Sequence, residues 1–396
     1  MKFACTALAA LLIFGTGAES ADLNTVKASL MPLRERSGVS AARMGPEFLA
    51  ARDGLRDWIA ARLSSLPRGG DTEKFTKTLN AEIAAADLSC VDAKAPGYNR
   101  CTSPGELDAR GYLGLVGVDL VRDVLIVQAE TGVICGFDET VYAYEWVKDR
   151  WRLLLDASQK PDAKGLYTAE QIQQVVFSNM DGMPRDEVRL VATGASPSCV
   201  RSFAPVHYRV WTLKRTVGAS LLTDVREDRA YVGRRDPAIS ARFEGESLLI
   251  EMDVASIDPK RHSRVAVQRL LFGEKGVSRA APFALTPRDF VEEWLRTPWV
   301  TASQWTQAGA RAALEKIHAD ASGATLRASF SGPTQSCEKD ENVVQVGVRL
   351  PNGERFFRLK NDGAGAYEMR SADSAPTPGC ARPDSGLDTA RSLFSK

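Results

Sequence analysis

The sequence lacks most of the residue patterns that mark catalytic and metal-binding proteins. Histidine occurs only as His207, His262 and His318, which are far apart and do not form a HxxxH or HExxH zinc pattern. No CxxC pair is present, and no cysteine has a histidine nearby, so the cysteines do not favour zinc. A glycine-rich phosphate loop and a GxSxG serine elbow are also missing. Ser336 and Lys339 match SxxK, but one match is expected by chance in 396 residues.

Excess charge of one sign and a long apolar run are missing too. Lysine plus arginine number 51 and aspartate plus glutamate 50, whereas a nucleic-acid partner usually requires a basic surplus. No segment after the N-terminus approaches 18 uninterrupted apolar residues. We therefore expect a soluble mature chain without a membrane span and without nucleic acid as a partner.

The first 20 residues have the order of a secretory signal peptide. Lys2 precedes the short apolar run "FACTALAALLIFGTG", and small residues follow at Ala18 and Ser20. This order predicts cleavage after Ser20, a mature chain that begins near Ala21, and export to the periplasm or the outside.

Cleavage removes Cys5 and leaves an even number of cysteines, which in an exported chain favours disulfides. Six cysteines allow 15 connectivities. Proximity along the chain suggests Cys90–Cys101 and Cys337–Cys380, which leaves Cys135–Cys199 by elimination.

Hydrophobic periodicity predicts helices over residues 45–87 and a hairpin over 141–156. With a two-residue turn at Lys148-Asp149, the hairpin register pairs Trp146 with Trp151, Tyr144 with Leu153, Tyr142 with Leu155, and Glu145 with Arg152. One face then collects two Trp, two Tyr and two Leu. A buried sheet face explains this better than a glycan-stacking platform.

Further along, the capping-box spacing of Thr168 and Gln171 predicts a short helix. Strand-type alternation dominates residues 187–282, and helices return over 286–319. In "VVQVGVRLPNGERFFRLK", a type I′ turn at Asn352-Gly353 would pair Leu350 with Arg355.

These patterns predict an α+β fold with a helical N-terminal segment, an antiparallel β-rich middle, and C-terminal helices packed on an antiparallel β-meander. The predicted divisions are a signal peptide at 1–20, a helical pair plus β-hairpin domain at 21–160, a β-rich middle domain at 161–283, an α+β C-terminal domain at 284–372, and a disulfide-tethered tail at 373–396.

The stretch "LTPRDFVEEWLRTPW" (285–299) is the best candidate for a helix with a working carboxylate. Thr286 suits the N-cap, and Glu292 has an arginine one turn away on either side, which should lower its pKa. Glu293 has Asp289 one turn back, which should raise its pKa, and Arg296 three residues on, which opposes that shift. Because the apolar and charged residues sort into two faces, the pattern favours a packing helix over a catalytic one.

The basic run from Lys260 to Arg264 could contact an anionic polymer, but a solvated loop explains it better. The sequence thus assigns no catalytic, cofactor-binding or metal-ligating residue and predicts no cofactor. It favours an exported binding, inhibitory or envelope-accessory protein with an unknown protein or polymer partner, and leans against an enzyme. The alternatives are a hydrolase that acts on an envelope polymer through a carboxylate pair, and a structural component of a larger assembly. The oligomeric state stays open.

Overall fold

The computed structural model describes residues 22–35, 45–92, 95–103, 106–107, 109–161, 167–178, 186–197, 203–231, 238–273, 276–280, 284–321, 328–337, 342–363 and 366–389. This part of the chain is an α+β fold of helices and mainly antiparallel sheets. The predicted signal peptide lies outside the described residues. Where the structure describes the chain, no helix combines the length and apolar character that crossing a membrane requires.

The N-terminal helices pack on one face of an antiparallel meander, which we call the N-terminal sheet. The helices are α1 (Leu23–Glu35), α2 (Pro46–Arg62) and α3 (Thr72–Ala85), and the sheet runs β5 (Leu113–Val121), β6 (Val124–Val133), β7 (Gly136–Val147) and β8 (Arg150–Asp156). The short ladders β1 (Val91–Asp92) with β2 (Ala95–Asn99) and β3 (Thr102–Ser103) with β4 (Glu106–Leu107) lie between them in sequence. Side chains from both layers, including Phe48, Trp58, Leu79, Tyr142 and Tyr144, form one buried core.

The β7–β8 hairpin confirms most of the predicted register. Lys148 and Asp149 both have positive φ, and Trp146 pairs with Trp151, Glu145 with Arg152, and Tyr144 with Leu153. The predicted pair of Tyr142 with Leu155 is wrong, because a bulge between Ala143 and Tyr144 shifts the register. The bulge turns Leu155 to the opposite face, where it joins a second apolar layer.

The middle of the chain forms an antiparallel sheet that bends round, which we call the curled sheet. Its strands are β9 (Gln171–Phe177), β10 (Glu187–Ala195), β11 (Phe203–Lys214), β12 (Gly218–Tyr231), β13 (Ile239–Glu244), β14 (Ser247–Ala255), β15 (Ser263–Gly273) and β16 (Gly276–Arg279). The order is β16-β15-β14-β12-β11-β10-β9, and β13 pairs with β14. The side chain of Gln174 in β9 accepts from the backbone N–H of Ala241 in β13 at 2.8 Å, so the two edges approach each other.

The predicted helix at Thr168–Gln171 is wrong, because the chain enters strand β9 at Gln171. In that strand Ile172 is buried in the layer between the curled sheet and the N-terminal sheet. Val141, Leu190 and Trp211 lie in the same layer. Tertiary burial of Ile172 thus outweighs the local capping signal.

The C-terminal helices cover one face of a further antiparallel sheet, which we call the C-terminal sheet. The helices are α4 (Pro287–Arg296), α5 (Trp299–Ala302) and α6 (Arg311–Ala321). The strands are β17 (Ser329–Phe330), β18 (Gln335–Ser336), β19 (Val343–Leu350), β20 (Gly353–Asn361), β21 (Tyr367–Asp373) and β22 (Arg382–Pro383). Phe290, Trp294 and Phe357 are fully buried between the two layers.

The β19–β20 hairpin differs from its prediction by two residues. Leu350 pairs with Gly353, so Pro351 and Asn352 form the turn. The fixed φ of proline suits Pro351 at position i+1 of the turn. Gly353, with φ of 115°, occupies position i+3. A shift of two residues preserves the faces, so Val346, Val348 and Phe357 still face the core, as expected.

Candidate functional site

A cavity of about 690 Å³ lies where the end of β8 and the segment after it face strands β11 and β12. Its wall combines a polar side with an apolar side, and the apolar side is formed by Leu155, Trp211, Ala219 and Leu221. The polar lining residues are Asp156, Ser158, Gln159, Lys160, His207, Arg209, Asp224 and Arg226. We call this cavity the inter-sheet pocket.

Alternation along β11 places His207 and Arg209 at the pocket. Val206, Tyr208 and Val210 point into the core of the curled sheet. The opposite face carries His207, Arg209 and Trp211, in that order, and faces the N-terminal sheet. This face changes from polar to apolar along the strand, and all three side chains line the pocket.

Behind the pocket wall, Glu170 is the centre of a buried polar cluster. Its carboxylate contacts the Nε2 atom of His207 and pairs with the guanidinium of Arg209. Gln159 donates to the same carboxylate at 3.1 Å, and Arg209 also donates to the carbonyl of Ala157 at 2.5 Å. Glu170 is 1% exposed. The cluster therefore fixes the inner end of both β11 side chains.

A second buried carboxylate extends this cluster towards the helices. Asp138 on β7 accepts from the hydroxyl of Tyr167 at 2.6 Å and from the backbone N–H of Glu170 at 2.8 Å. The guanidinium of Arg52 lies over the Tyr167 ring at 4.7 Å and donates to the carbonyl of Gln159 at 3.1 Å. Helix α2, the N-terminal sheet and the curled sheet are thus joined through one hydrogen-bonded network.

Burial is the main cause of the pKa shifts in this cluster. It raises the pKa of Glu170 to about 7, although Arg209 acts in the opposite direction. It raises the pKa of Asp138 to about 6 against the hydrogen bonds from Tyr167 and Glu170. Burial, aided by Arg209 and Arg226, lowers the pKa of His207 to about 3. Near neutral pH the imidazole is therefore uncharged, and a proton on the Glu170 carboxyl can be shared with it.

The stretch 285–299 is a packing helix, as predicted, but its carboxylates have different partners. Thr286 caps α4 by accepting from the N–H of Asp289 at 3.1 Å. Glu292, which is fully buried, lies 3.3 Å from Arg264 and accepts from Ser256 at 2.6 Å. Arg296, one of its expected partners, instead donates to the carbonyl of Ala255.

The predicted lowering of the Glu292 pKa is wrong. Burial raises the pKa of Glu292 and outweighs the nearby Arg264. Burial also opposes ionisation of Glu293, but Arg264 and Arg279 outweigh it and lower the pKa of Glu293 to about 2. Helical spacing identifies only partners on the same helix, whereas Arg264 and Arg279 come from the curled sheet.

The structure also shows the surroundings of the remaining residues considered in the sequence. Tyr142 and Tyr144 are buried under the helices and Trp151 is partly buried against them, whereas Leu153 is 41% exposed, so only the inner part of the aromatic face is core. The basic run is not simply solvated, because Arg261 pairs with Asp289 at 3.1 Å and Arg264 is buried against α4. His318 is buried, with its Nε2 atom 2.9 Å from the carbonyl of Thr297.

Two of the predicted cysteine pairs are disulfides, Cys90–Cys101 and Cys337–Cys380. Cys135 is also disulfide-bonded, while Cys199, its predicted partner, lies outside the described residues. In the described ranges no cluster of three or more His, Cys, Asp or Glu side chains could hold a metal ion. Disulfides favour an oxidising compartment.

Sequence reasoning missed Glu170 and Asp138 and gave His207 no functional role. The one available signal was the alternation along β11, which places His207 and Arg209 on the same face as the apolar Trp211. No protein-family model matches the chain, and the search of curated proteins found no match either.

Proposed function

We propose that this protein is an exported binding protein that holds a small zwitterionic ligand, such as an amino acid or short peptide, in the inter-sheet pocket. The observation that supports this proposal is a cavity of about 690 Å³ whose lining combines cations and carboxylates. That volume lies in the usual range of small-molecule sites.

The charge pattern of the lining supports a ligand with both signs. Lys160, Arg209 and Arg226 can hold a carboxylate, and Asp156 and Asp224 can hold an ammonium group. The Trp211 side of the pocket can receive an apolar side chain. Opposite charges inside one pocket select for a ligand that matches both, because an unmatched buried charge weakens binding.

Export is supported by two independent features. The first 20 residues have the order of a signal peptide, and the chain contains disulfides that an oxidising compartment preserves. We infer a periplasmic or secreted location from them.

Burial makes Glu170 and Asp138 poor candidates for the carboxylate pair of a hydrolase. Hydrolysis through a carboxylate pair needs two carboxyl groups that reach the same substrate bond. Glu170 and Asp138 are 1% exposed, and hydrogen bonds direct them to His207, Arg209 and Tyr167. They therefore serve to position the pocket wall.

Calorimetric titration with L-glutamate, L-arginine and alanyl-glutamine, with glucose as the uncharged comparison, tests the proposal. We expect saturable binding of at least one zwitterion and none of glucose. Leu221→Trp should abolish this binding, because Leu221 lines the pocket and is 54% exposed, so a larger ring can fill the space without disturbing the core.

Val217→Trp is the matched control. Val217 lies in the turn between β11 and β12, is 80% exposed, and does not line the pocket. Its variant should bind like the wild type. Equal binding by the Leu221 variant, or binding of glucose alone, would refute the proposal, and conversion of the ligand would favour the hydrolase.

A further inference from the structure

A second pocket lies on the outer face of the C-terminal sheet, opposite the helices. Its volume is about 410 Å³, and the C-terminal tail forms one of its walls. The lining residues are Gln307, Cys337, Val343, Arg358, Lys360, Arg370, Thr377, Pro378, Gly379 and Cys380. These include three cationic side chains and no carboxylate.

The strand geometry brings the three cations to one face. Arg358 and Lys360 are two residues apart on β20, so both point away from the core that contains Phe357 and Leu359. On β21, Met369 pairs with Leu359 and Ser371 pairs with Arg358, which leaves Arg370 as the additional residue of a bulge. A bulge of this kind redirects a side chain, and here Arg370 lines the same pocket.

The positive charge in the pocket is only partly neutralised. Arg370 pairs with Glu368 at 2.7 Å. Arg358 and Lys360 have no ion pair with any carboxylate among the described residues, although both are half-buried. Two like charges held near each other repel, and an anion that bridges them removes this penalty.

The part of the C-terminal tail that lines the pocket is held against the sheet by covalent and polar contacts. Cys380 is disulfide-bonded to Cys337 at the end of β18. The backbone N–H of Thr377 donates to the side chain of Gln345 at 2.8 Å, and the N–H of Cys380 donates to the carbonyl of Thr377 at 3.1 Å. The pocket is therefore preformed, which lowers the entropy lost on binding.

From this geometry we propose that the C-terminal pocket binds an oxyanion group, carried by a small phosphate or carboxylate compound. The planar guanidinium of Arg358 can donate two parallel N–H groups to two oxygen atoms, and Lys360 can supply a second positive charge from the same strand. This site is separate from the inter-sheet pocket and does not depend on its ligand.

Titration calorimetry of the full chain with inorganic phosphate, sulfate and succinate tests the proposal, against sodium chloride at matched ionic strength. We expect saturable binding of at least one of the three, and their relative affinities distinguish a phosphate site from a carboxylate site. Arg358→Gln and Lys360→Gln should each weaken the binding by at least about ten-fold, as expected for a charge-assisted hydrogen bond. Lys360→Arg should retain most of it.

Arg349→Gln is the matched control, because Arg349 lies on the same face of the sheet, is exposed, and does not line the pocket. This variant should bind like the wild type. The proposal is overturned if none of the three anions binds saturably, or if the Arg349 variant weakens binding as much as the Lys360→Gln variant does. If Arg358→Gln fails to fold, the comparison of Lys360→Gln with Lys360→Arg decides the question.

Discussion

Replacing Arg264 by methionine probes the buried ion network between α4 and the curled sheet. Arg264 is 4% exposed, lies 3.3 Å from Glu292 and pairs with Glu293. Methionine keeps much of the apolar stem of arginine but removes the charge. The variant therefore leaves two acidic side chains on α4 without their shared partner.

The pKa of Glu293 gives the size of the expected effect. It falls from the ordinary value of 4.5 to about 2 in the folded protein. Each pKa unit corresponds to about 1.4 kcal/mol, so the folded state gains about 3 kcal/mol from the ionised form, and Arg279, which pairs with Glu293 at 2.8 Å, keeps part of this gain in the variant. Breaking a buried ion pair from one side typically costs about 3–5 kcal/mol. Because Arg279 remains beside Glu293, we expect the free energy of unfolding to fall by about 3 kcal/mol at neutral pH, the lower end of that range.

The pH dependence has a definite sign. A lowered folded pKa means that this stabilisation is present above pH 4.5 and is lost as the pH falls through about 2. Without Arg264 the carboxyl group of Glu293 protonates more readily in the folded state. The difference between variant and wild type should therefore be largest near neutral pH and should shrink below pH 4.5.

Urea unfolding followed by tryptophan fluorescence measures the effect. Arg242→Met is the control, because Arg242 pairs with Glu244 in the same sheet with both side chains about one-third exposed. Such a pair contributes less than about 1 kcal/mol. Equal losses for the two variants, or a loss for Arg264→Met that does not change with pH, would refute the reasoning.

Three further changes test the packing. Cys380→Ser opens a bridge between residues 43 apart, which should lower the free energy of unfolding by about 3–4 kcal/mol and free one thiol in a thiol titration. Gly132→Ala should destabilise by about 1–3 kcal/mol or more in urea, because its Cβ would lie 1.6 Å from the carbonyl oxygen of Ala109, whereas Gly117→Ala meets nothing within 4 Å and should be nearly neutral. Thr286→Ala removes the α4 cap and should lower the urea midpoint by the equivalent of about 1 kcal/mol.

Local patterns in the sequence predict the elements whose signals lie within a few residues. The hairpin turn at Lys148-Asp149 and the Glu145–Arg152 pair follow from alternation and charge alone. The bulge beyond them does not, because it depends on the layer that receives Leu155. The Thr168 capping signal fails for a similar reason, since Ile172 is buried in that layer.

The candidate site could not be predicted from single residues. Glu170 and His207 are 37 positions apart, and only the packing of the curled sheet against the N-terminal sheet brings them together. The pKa of Glu292 rises because the tertiary fold buries its side chain, and helical spacing alone does not predict that burial. Burial and distant partners, not local sequence, determine the chemistry of both clusters.

Ligand-observed NMR tests the proposed binding function most directly. Saturation transfer from the protein to L-glutamate, L-arginine or alanyl-glutamine should appear with the wild type and with Val217→Trp, and should be absent with Leu221→Trp. The ligand spectrum should stay unchanged on prolonged incubation, because the proposed function is binding without turnover. Equal transfer with the Leu221 variant, or new product signals that depend on Glu170, would contradict the account.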